Sequence, residues 1–143
     1  MEMRVVAAGL SDVGLQRDHN EDSFGVAPQL NFFVVADGMG GHQAGDVASR
    51  MATEAMLGFF AAYSQEEVTW PFDYDHRLSE EENSLSTAVQ LANRQIVDLG
   101  SRSPELQGMG TTVVASLFSP RKRKMFIAHV GDSRAYRVRE GRL

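Results

Sequence analysis

The order of apolar patterns in the sequence predicts an α+β fold built on antiparallel sheet. Short apolar runs come first, two long segments of helical period follow, and further apolar runs end the chain. The later runs are joined by connections too short for the helical crossovers that parallel strands require. Several runs also lack a polar face, so we expect cover on both sides of the sheet, with a second sheet as one layer.

Composition restricts the class of protein. The 143 residues, 43% of them hydrophobic, are enough for one domain with a core. A formal net charge of −5 gives no general attraction for nucleic acid or anionic membranes, and the absence of cysteine excludes disulfides, thiolate metal sites and cysteine nucleophiles. There is no signal-peptide core and no run of roughly 20 apolar residues that could span a bilayer. We therefore expect a cytoplasmic protein without a membrane segment.

Three strands are predicted near the N-terminus. They correspond to "RVVAAGLSDVG" at 4–14, "DSFGVAP" at 22–28 and "NFFVVAD" at 31–37. The last run has little polar alternation, which predicts a strand buried on both faces.

Two amphipathic helices are predicted next. The first runs from Ala44 to Tyr63, where apolar residues recur at steps of three and four. The second begins after Ser79, which forms a capping-box pattern with Glu82, and continues to about Ser101. The residues between them, 64–78, have no period, and we expect a loop partly held by its aromatic residues Trp70 and Phe72.

An antiparallel meander is predicted for the rest of the chain. Apolar runs at 111–118 and 125–130 flank Pro120 and a basic turn, and a third run begins near Arg134. The basic segment "PRKRK" resembles a nucleic-acid patch or an import signal. Its position between two strands of an acidic protein favours a solvated hairpin tip.

Four acidic residues lie where predicted strands meet turns: Glu21, Asp22, Asp37 and Asp132. Hard oxygen ligands without cysteine favour Mg²⁺ or Mn²⁺ over zinc. Aspartate also favours turns for its own hydrogen bonding, and for any one of these acids taken alone a turn residue is favoured over a metal ligand. Asp37 is the exception, since it ends the apolar run "FFVVA" and a metal ion would compensate a charge buried there.

The segment "DGMGG" at 37–41 places three glycines in four residues just before a helix. This arrangement resembles a phosphate-binding turn but favours a backbone carbonyl turned towards a metal ion, and a tight turn from strand to helix is compatible with both. No Gly-Lys-Ser/Thr follows, and the glycines are wrongly spaced for a dinucleotide-binding motif.

Other candidate side chains are Arg17 and the four histidines. A guanidinium can bind two phosphate oxygens, so Arg17 is either an anion ligand or a solvated loop residue. His19, His42, His76 and His129 are candidates for a general acid. His42 follows the glycine turn and is therefore the one expected near Asp37. No serine stands in a G-x-S-x-G elbow, so a serine hydrolase is not supported.

Four segments in order make the pattern specific: "GLQRDHNED", "VVADGMGGH", "GMGTT" and "VGDSRAY". Together with the intervening helix pair they resemble the N-terminal motifs of the metal-dependent protein phosphatases, the protein phosphatase 2C or PPM-type family, in its bacterial branch. The resemblance implies an α-β-β-α sandwich of two antiparallel sheets flanked by helices. It also implies that residues 1–143 are the N-terminal portion of one phosphatase domain, incomplete at the C-terminus.

The resemblance implies a role for each site residue. Asp37 would bridge two Mn²⁺ or Mg²⁺ ions, with Glu21 and the Gly38 carbonyl completing one of them, and Asp132 would belong to a weaker third-metal site. Asp22 would orient bound water and Arg17 would hold the substrate phosphate. A metal-bound hydroxide would then attack phosphorus directly. Met39 replaces a histidine proposed as general acid in some members, which leaves His42 as the substitute.

The implied function is a serine/threonine protein phosphatase that acts in signalling and opposes a serine/threonine kinase. The family's domain continues with two more aspartate ligands that do not follow Asp132, so we expect these 143 residues alone to be inactive. One alternative is a catalytically dead phosphatase-like module that binds phosphoproteins or a partner chain. Another is a nucleotide-binding domain that uses the glycine turn.

Overall fold

A computed structural model describes residues 3–41, 43–66 and 69–143. The elements in chain order are β1 (Asp22–Ala27), β2 (Phe32–Met39), α1 (Ala44–Ser64), α2 (Glu80–Arg102), β3 (Gly110–Thr111), β4 (Val113–Ser119) and β5 (Lys124–Val130). Short 3-10 helices at Pro28–Leu30 and Pro104–Leu106 precede β2 and β3. The predicted α+β order is confirmed.

The strands form one antiparallel sheet in the order β1-β2-β4-β5, with the short strand β3 paired to the end of β2. Helix α1 packs on β1, β2 and α2, and α2 extends towards β4 and β5. Both helices therefore cover one face of the sheet. This face is called the helix face below, and the opposite face is called the outer face.

The core lies between the helix face and the two helices. Phe32 of β2 stacks on Phe60 of α1 with ring centroids 4.3 Å apart. Alanines in both helices are buried and allow close packing: Ala48 and Ala52 in α1, and Ala88 and Ala92 in α2. Large apolar side chains fill the remaining space, among them Val34, Met56, Leu85 and Leu117. Burial of this apolar surface is the main source of stability.

The helices agree with the sequence predictions. The Ser79 hydroxyl accepts from the Glu82 N–H at 3.3 Å, while the Glu82 carboxylate accepts from the Ser79 N–H at 2.8 Å, completing the capping box. The connection before Ser79 contains no helix or strand among its described residues, and Trp70 packs against Phe59, Tyr63 and Tyr74. No helix in the described part of the chain combines the length and apolar character required to cross a membrane.

The hairpin of β4 and β5 also agrees with the prediction. Its turn lies at 120–123, where the Arg123 N–H donates to the Pro120 carbonyl at 3.2 Å. The basic side chains at the tip are exposed, apart from a link between Lys122 and Glu81 of α2, whose Nζ and Oε2 atoms are 2.5 Å apart. The basic segment is therefore a solvated hairpin tip with one anchor.

The prediction that β2 is buried on both faces is wrong. Its residues alternate, with Phe32, Val34, Ala36 and Gly38 buried on the helix face. On the outer face Val35 is 48% exposed and Asp37 is also exposed, because the two helices cover only the opposite side. No second sheet is present among residues 3–41, 43–66 and 69–143.

The prediction of a strand at 4–14 is also wrong, since these residues form no strand. Val6 is 82% exposed and Leu10 is 93% exposed, so the apolar run finds no partner that would bury it. The segment does pass close to β1, where Gly9 lies against the ring of Phe24. An apolar run forms a strand only where a neighbouring strand offers its backbone groups.

The third run near Arg134 likewise forms no strand. After β5 the chain turns at Gly131, whose φ of +95° takes the backbone out of the extended region. Gly131 packs on Thr112, and the following residues leave the line of β5. Only an isolated bridge between Arg139 and Arg142 follows.

Candidate functional site

A cleft of about 360 Å³ lies beside the start of β1 and the end of β2. Residues 12–17 and 19–22 form most of its wall, and Asp37 of β2 completes it. The structure thus brings Arg17, Glu21, Asp22 and Asp37 together in one cleft. The loop is tied by Asn20, whose side chain accepts from the Asp22 N–H at 2.9 Å and donates to the Ser11 hydroxyl at 2.7 Å.

Asp22 and Asp37 are direct cross-strand partners in the β1–β2 register, so both carboxylates project from the outer face. The pKa of Asp22 is raised, first by partial burial of its carboxyl group and then by the charge of Asp37 and a hydrogen bond with it. The positive charge of Arg17 acts in the opposite direction. Like charges placed directly opposite each other repel, and a cation between them would remove that cost.

Glu21 also lines the cleft, and its side chain is only 12% exposed. Its carboxylate is 3.7 Å from a guanidinium nitrogen of Arg17, whose own side chain is 73% exposed. The carboxylate also rests on Gly45 in the first turn of α1, where the partial positive charge of the helix N-terminus favours an anion.

Gly38 of β2 contacts both Glu21 and the first turn of α1. Its N–H donates to the Glu21 carbonyl at 3.0 Å, and Thr111 is its partner in β3. A methyl group on Gly38 would collide with the Gly45 carbonyl and lie 2.7 Å from the Glu21 carbonyl oxygen, so only glycine fits. Gly40 and Gly41 have φ values of +135° and +71°, which supports the tight strand-to-helix turn considered above.

Thr112 was not foreseen as a site residue, although it belongs to the quoted segment "GMGTT". It is 4% exposed, and its hydroxyl accepts from the Asp37 N–H at 3.1 Å. The same hydroxyl is 2.6 Å from the hydroxyl of Ser133, and the Thr112 N–H donates to the Asp37 carbonyl at 2.9 Å. A threonine pair directly before an apolar strand is the signal that would have indicated a buried polar contact.

Asp132 is exposed at the bend after β5 and does not line the main cleft. Its neighbour Ser133 lines an adjoining cleft of about 240 Å³ together with Asp22 and Asp37. His42 lies outside the described residues. His19 does line the main cleft, with its Nε2 atom 3.8 Å from a carboxylate oxygen of Asp46 in α1.

The donors in the cleft suit one side of a divalent metal site. Asp22, Asp37 and Glu21 offer hard oxygens, as Mg²⁺ and Mn²⁺ prefer, and the opposed aspartates have a charge that a cation would neutralise. Among the residues described, however, no three acidic or histidine side chains converge closely enough to enclose an ion. The arrangement therefore fits a metal site to which further ligands contribute.

Comparisons with known proteins show the family of proteins to which the chain is similar. The family model for protein phosphatase 2C matches residues 15–143. The serine/threonine phosphatase stp of Listeria welshimeri is 39% identical over 141 residues, covering 93% of this chain. The crystal structure of the catalytic domain of the serine/threonine protein phosphatase PstP in complex with two manganese ions matches 92% of this chain with a TM-score of 0.70 and 34% identity.

A further structure, the PPM Ser-Thr phosphatase MsPP from Mycobacterium smegmatis in complex with cacodylate, matches 97% of this chain with a TM-score of 0.73 and 29% identity. The present chain spans 50% of the Listeria protein, 50% of the PstP chain and 51% of the MsPP chain. The similarity thus covers nearly all of this chain and about half of each relative.

Proposed function

This chain belongs to the protein phosphatase 2C family, and on that premise we propose that the complete protein is a metal-dependent phosphatase acting on phosphoserine and phosphothreonine in proteins. The observation that carries the proposal is the opposed pair Asp22 and Asp37 in a cleft that also contains Arg17. Two carboxylates meeting in this way favour a bound cation, and the guanidinium favours a bound phosphate.

We propose Mn²⁺ or Mg²⁺ as the metal, with two ions at the main site. Manganese is supported by the PstP structure, which holds two manganese ions. Asp37 would contact both ions, Glu21 and the Gly38 carbonyl would contact one of them, and Asp132 would belong to a third, weaker site. When bound, the ions would supply an activated water nucleophile and neutralise charge on the transferring phosphoryl group.

The remaining residues would handle substrate and protons. Arg17, whose side chain is 73% exposed, would turn from Glu21 and bind two phosphate oxygens of the substrate. Asp22 would accept a hydrogen bond from the attacking water and orient it, which its place opposite Asp37 supports. His42 is proposed to donate the proton that the leaving serine or threonine oxygen requires.

The substrate class is a phosphorylated protein, and the proposed opposing enzyme is a serine/threonine kinase. The names of the relatives, which are serine/threonine phosphatases, support this assignment. We further propose that the enzyme acts in signalling in the bacterial cytoplasm, consistent with a sequence that contains no cysteine.

Substitution of Asp37 tests the proposed function. We expect the complete protein to hydrolyse p-nitrophenyl phosphate and a phosphothreonine peptide in the presence of Mn²⁺. Asp37→Ala should lower kcat by at least about 100-fold, because a charge that stabilises the transition state is lost. Asp98→Ala is the matched control, since this exposed carboxylate lies on α2 away from the cleft. Full activity in Asp37→Ala would refute the metal role.

A second candidate is a catalytically inactive module that binds phosphoproteins or a partner chain. It is favoured by the finding that no three metal-binding side chains converge in the described part of the chain. Calorimetric titration with Mn²⁺ distinguishes the two. A dinuclear site in the complete protein should bind Mn²⁺ measurably, whereas an inactive module would bind a phosphopeptide without needing the metal.

A further inference from the structure

Gly45 is the second residue of α1, and it is buried beneath the carboxylate of Glu21. A methyl group at this position would lie 2.7 Å from the carboxyl carbon of Glu21 and 2.8 and 3.0 Å from its two oxygens. Such distances are well inside van der Waals contact. The carboxylate can therefore lie where it does only because residue 45 has no side chain.

The backbone itself does not require glycine at this position. Gly45 has ordinary helical geometry, unlike Gly40 and Gly41, whose positive φ values favour glycine. Alanine is the better helix former, so helix stability alone would favour it. Gly58 in the same helix has nothing within 4 Å of an added methyl group. The reason for glycine at position 45 is therefore the space taken by Glu21.

Contacts of Gly38 also set the position of Glu21 relative to Asp37. Gly38 follows Asp37 in β2, packs on the Gly45 carbonyl and donates its N–H to the Glu21 carbonyl at 3.0 Å. Strand β2, the first turn of α1 and the residue before β1 thus meet at three points. The side chain of Glu21 is the flexible member of this group, so it is the part that moves if space is lost.

We propose that Gly45 is a positioning residue of the phosphatase site, which holds the Glu21 carboxylate against α1 at a set distance from Asp37. This inference rests on the proposed function, in which Glu21 is a metal ligand. A methyl group at position 45 displaces the carboxylate and leaves Asp22 and Asp37 untouched. Metal affinity falls for that reason, while the helix retains or gains stability.

The test compares Gly45→Ala with the matched control Gly58→Ala in the complete protein. Mn²⁺ affinity is measured by calorimetric titration and folding by thermal melting without metal. We expect Gly45→Ala to weaken Mn²⁺ binding by about 10- to 100-fold, the range found for residues that orient metal ligands. Gly58→Ala should bind Mn²⁺ as the unmodified protein does. Equal affinities in both variants would overturn the proposal.

A double-substitution cycle shows whether Gly45 acts through Glu21. In a Glu21→Ala background the space is open, so adding Gly45→Ala should have no further effect on Mn²⁺ binding. If Gly45→Ala alone lowers the melting temperature, combining it with Glu21→Ala should restore that temperature. Independent effects of the two substitutions on affinity, or no recovery of folding, would contradict the proposal.

A metal-free measurement separates this inference from the function on which it rests. The ¹³C chemical shift of the Glu21 carboxyl group should change in Gly45→Ala and stay constant in Gly58→Ala. If the unmodified protein binds no Mn²⁺ while this shift changes, the positioning role stands and the metal function is refuted. An unchanged shift in Gly45→Ala refutes the positioning role itself.

Discussion

Thr112 hydrogen-bonds to both backbone polar groups of Asp37. The Thr112 hydroxyl accepts from the Asp37 N–H at 3.1 Å, and the Thr112 N–H donates to the Asp37 carbonyl at 2.9 Å. The hydroxyl also reaches Ser133 in the bend that contains Asp132. One buried side chain therefore connects two of the proposed ligand segments, so its loss should affect the site as well as stability.

We expect Thr112→Val to lower the free energy of unfolding by about 1–3 kcal/mol, because the Asp37 N–H loses its acceptor while the side-chain volume stays similar. Chemical denaturation followed by circular dichroism measures the loss. Thr112→Ser is the matched control, since it keeps the hydroxyl. A valine variant as stable as the serine variant would show that the hydroxyl contributes nothing.

The carboxylates could be proposed from the sequence, whereas their supports could not. Asp22 and Asp37 each stand where an apolar run meets a turn, which is a local signal. Gly45 and Thr112 act through contacts with residues 24 and 75 positions away in the chain. Such pairs are set by the packed fold, and no local pattern identifies the partner of either residue. The argument that Asp37 is buried was also wrong, because it assumed cover on the outer face.

At the scale of elements, the helices were predictable because their signals are local. Apolar spacing and the Ser79 capping box fixed both helices to within a residue or two. Strands depend on a neighbour, and for that reason the apolar runs at 4–14 and near Arg134 were predicted wrongly. An apolar run shows that a segment can form a strand and leaves open whether a partner edge is present.

Helix α2 is joined to the β4–β5 hairpin by the ion pair of Glu81 and Lys122. Burial alone would raise the pKa of Glu81, but hydrogen bonds from Lys122, a backbone N–H and Ser119, with the charge of Lys122, outweigh it and leave the pKa lowered. A carboxylate whose pKa is lowered by folding stabilises the fold above its unfolded pKa. That contribution disappears as the pH falls through the folded pKa.

We therefore expect Glu81→Gln to cost up to about 1 kcal/mol of unfolding free energy at pH 7, since the pair is partly exposed. The difference from the unmodified chain should shrink as the pH falls below about 4.3, the ordinary pKa of glutamate. Urea denaturation at a series of pH values measures it. Asp98→Asn, an exposed carboxylate on the same helix, should show no comparable dependence. A Glu81→Gln difference that is constant with pH would rule out the ion pair as its cause.

On the scale of the whole molecule, the two faces of the sheet differ in cover. The helix face is buried under α1 and α2 and contains the core. The outer face displays apolar side chains in the open, among them Phe24, Val26, Val35 and Ile127. Contiguous exposed apolar surface promotes association in water. Neighbouring residues of one strand should therefore differ greatly in how much stability they lose on the same charged substitution.

Val34 and Val35 provide this comparison. Val34 is 2% exposed on the helix face and Val35 is 48% exposed on the outer face. Val34→Asp should cost at least about 3 kcal/mol of unfolding free energy, because it buries an unpaired charge in the core. Val35→Asp should leave the denaturation midpoint nearly unchanged and reduce concentration-dependent association in sedimentation experiments. Equal destabilisation by both substitutions would mean that the outer face is covered in solution.

The distance along the chain between Asp37 and Thr112 has a consequence for the order of folding. Asp22 and Asp37 meet within one local hairpin, which closes quickly because the loop between its strands is short. The Thr112 bond spans 75 residues, and because closing so long a loop costs more entropy we expect it to form later. We therefore expect the two carboxylates to repel each other early in folding, before the Thr112 bonds that hold the Asp37 backbone have formed.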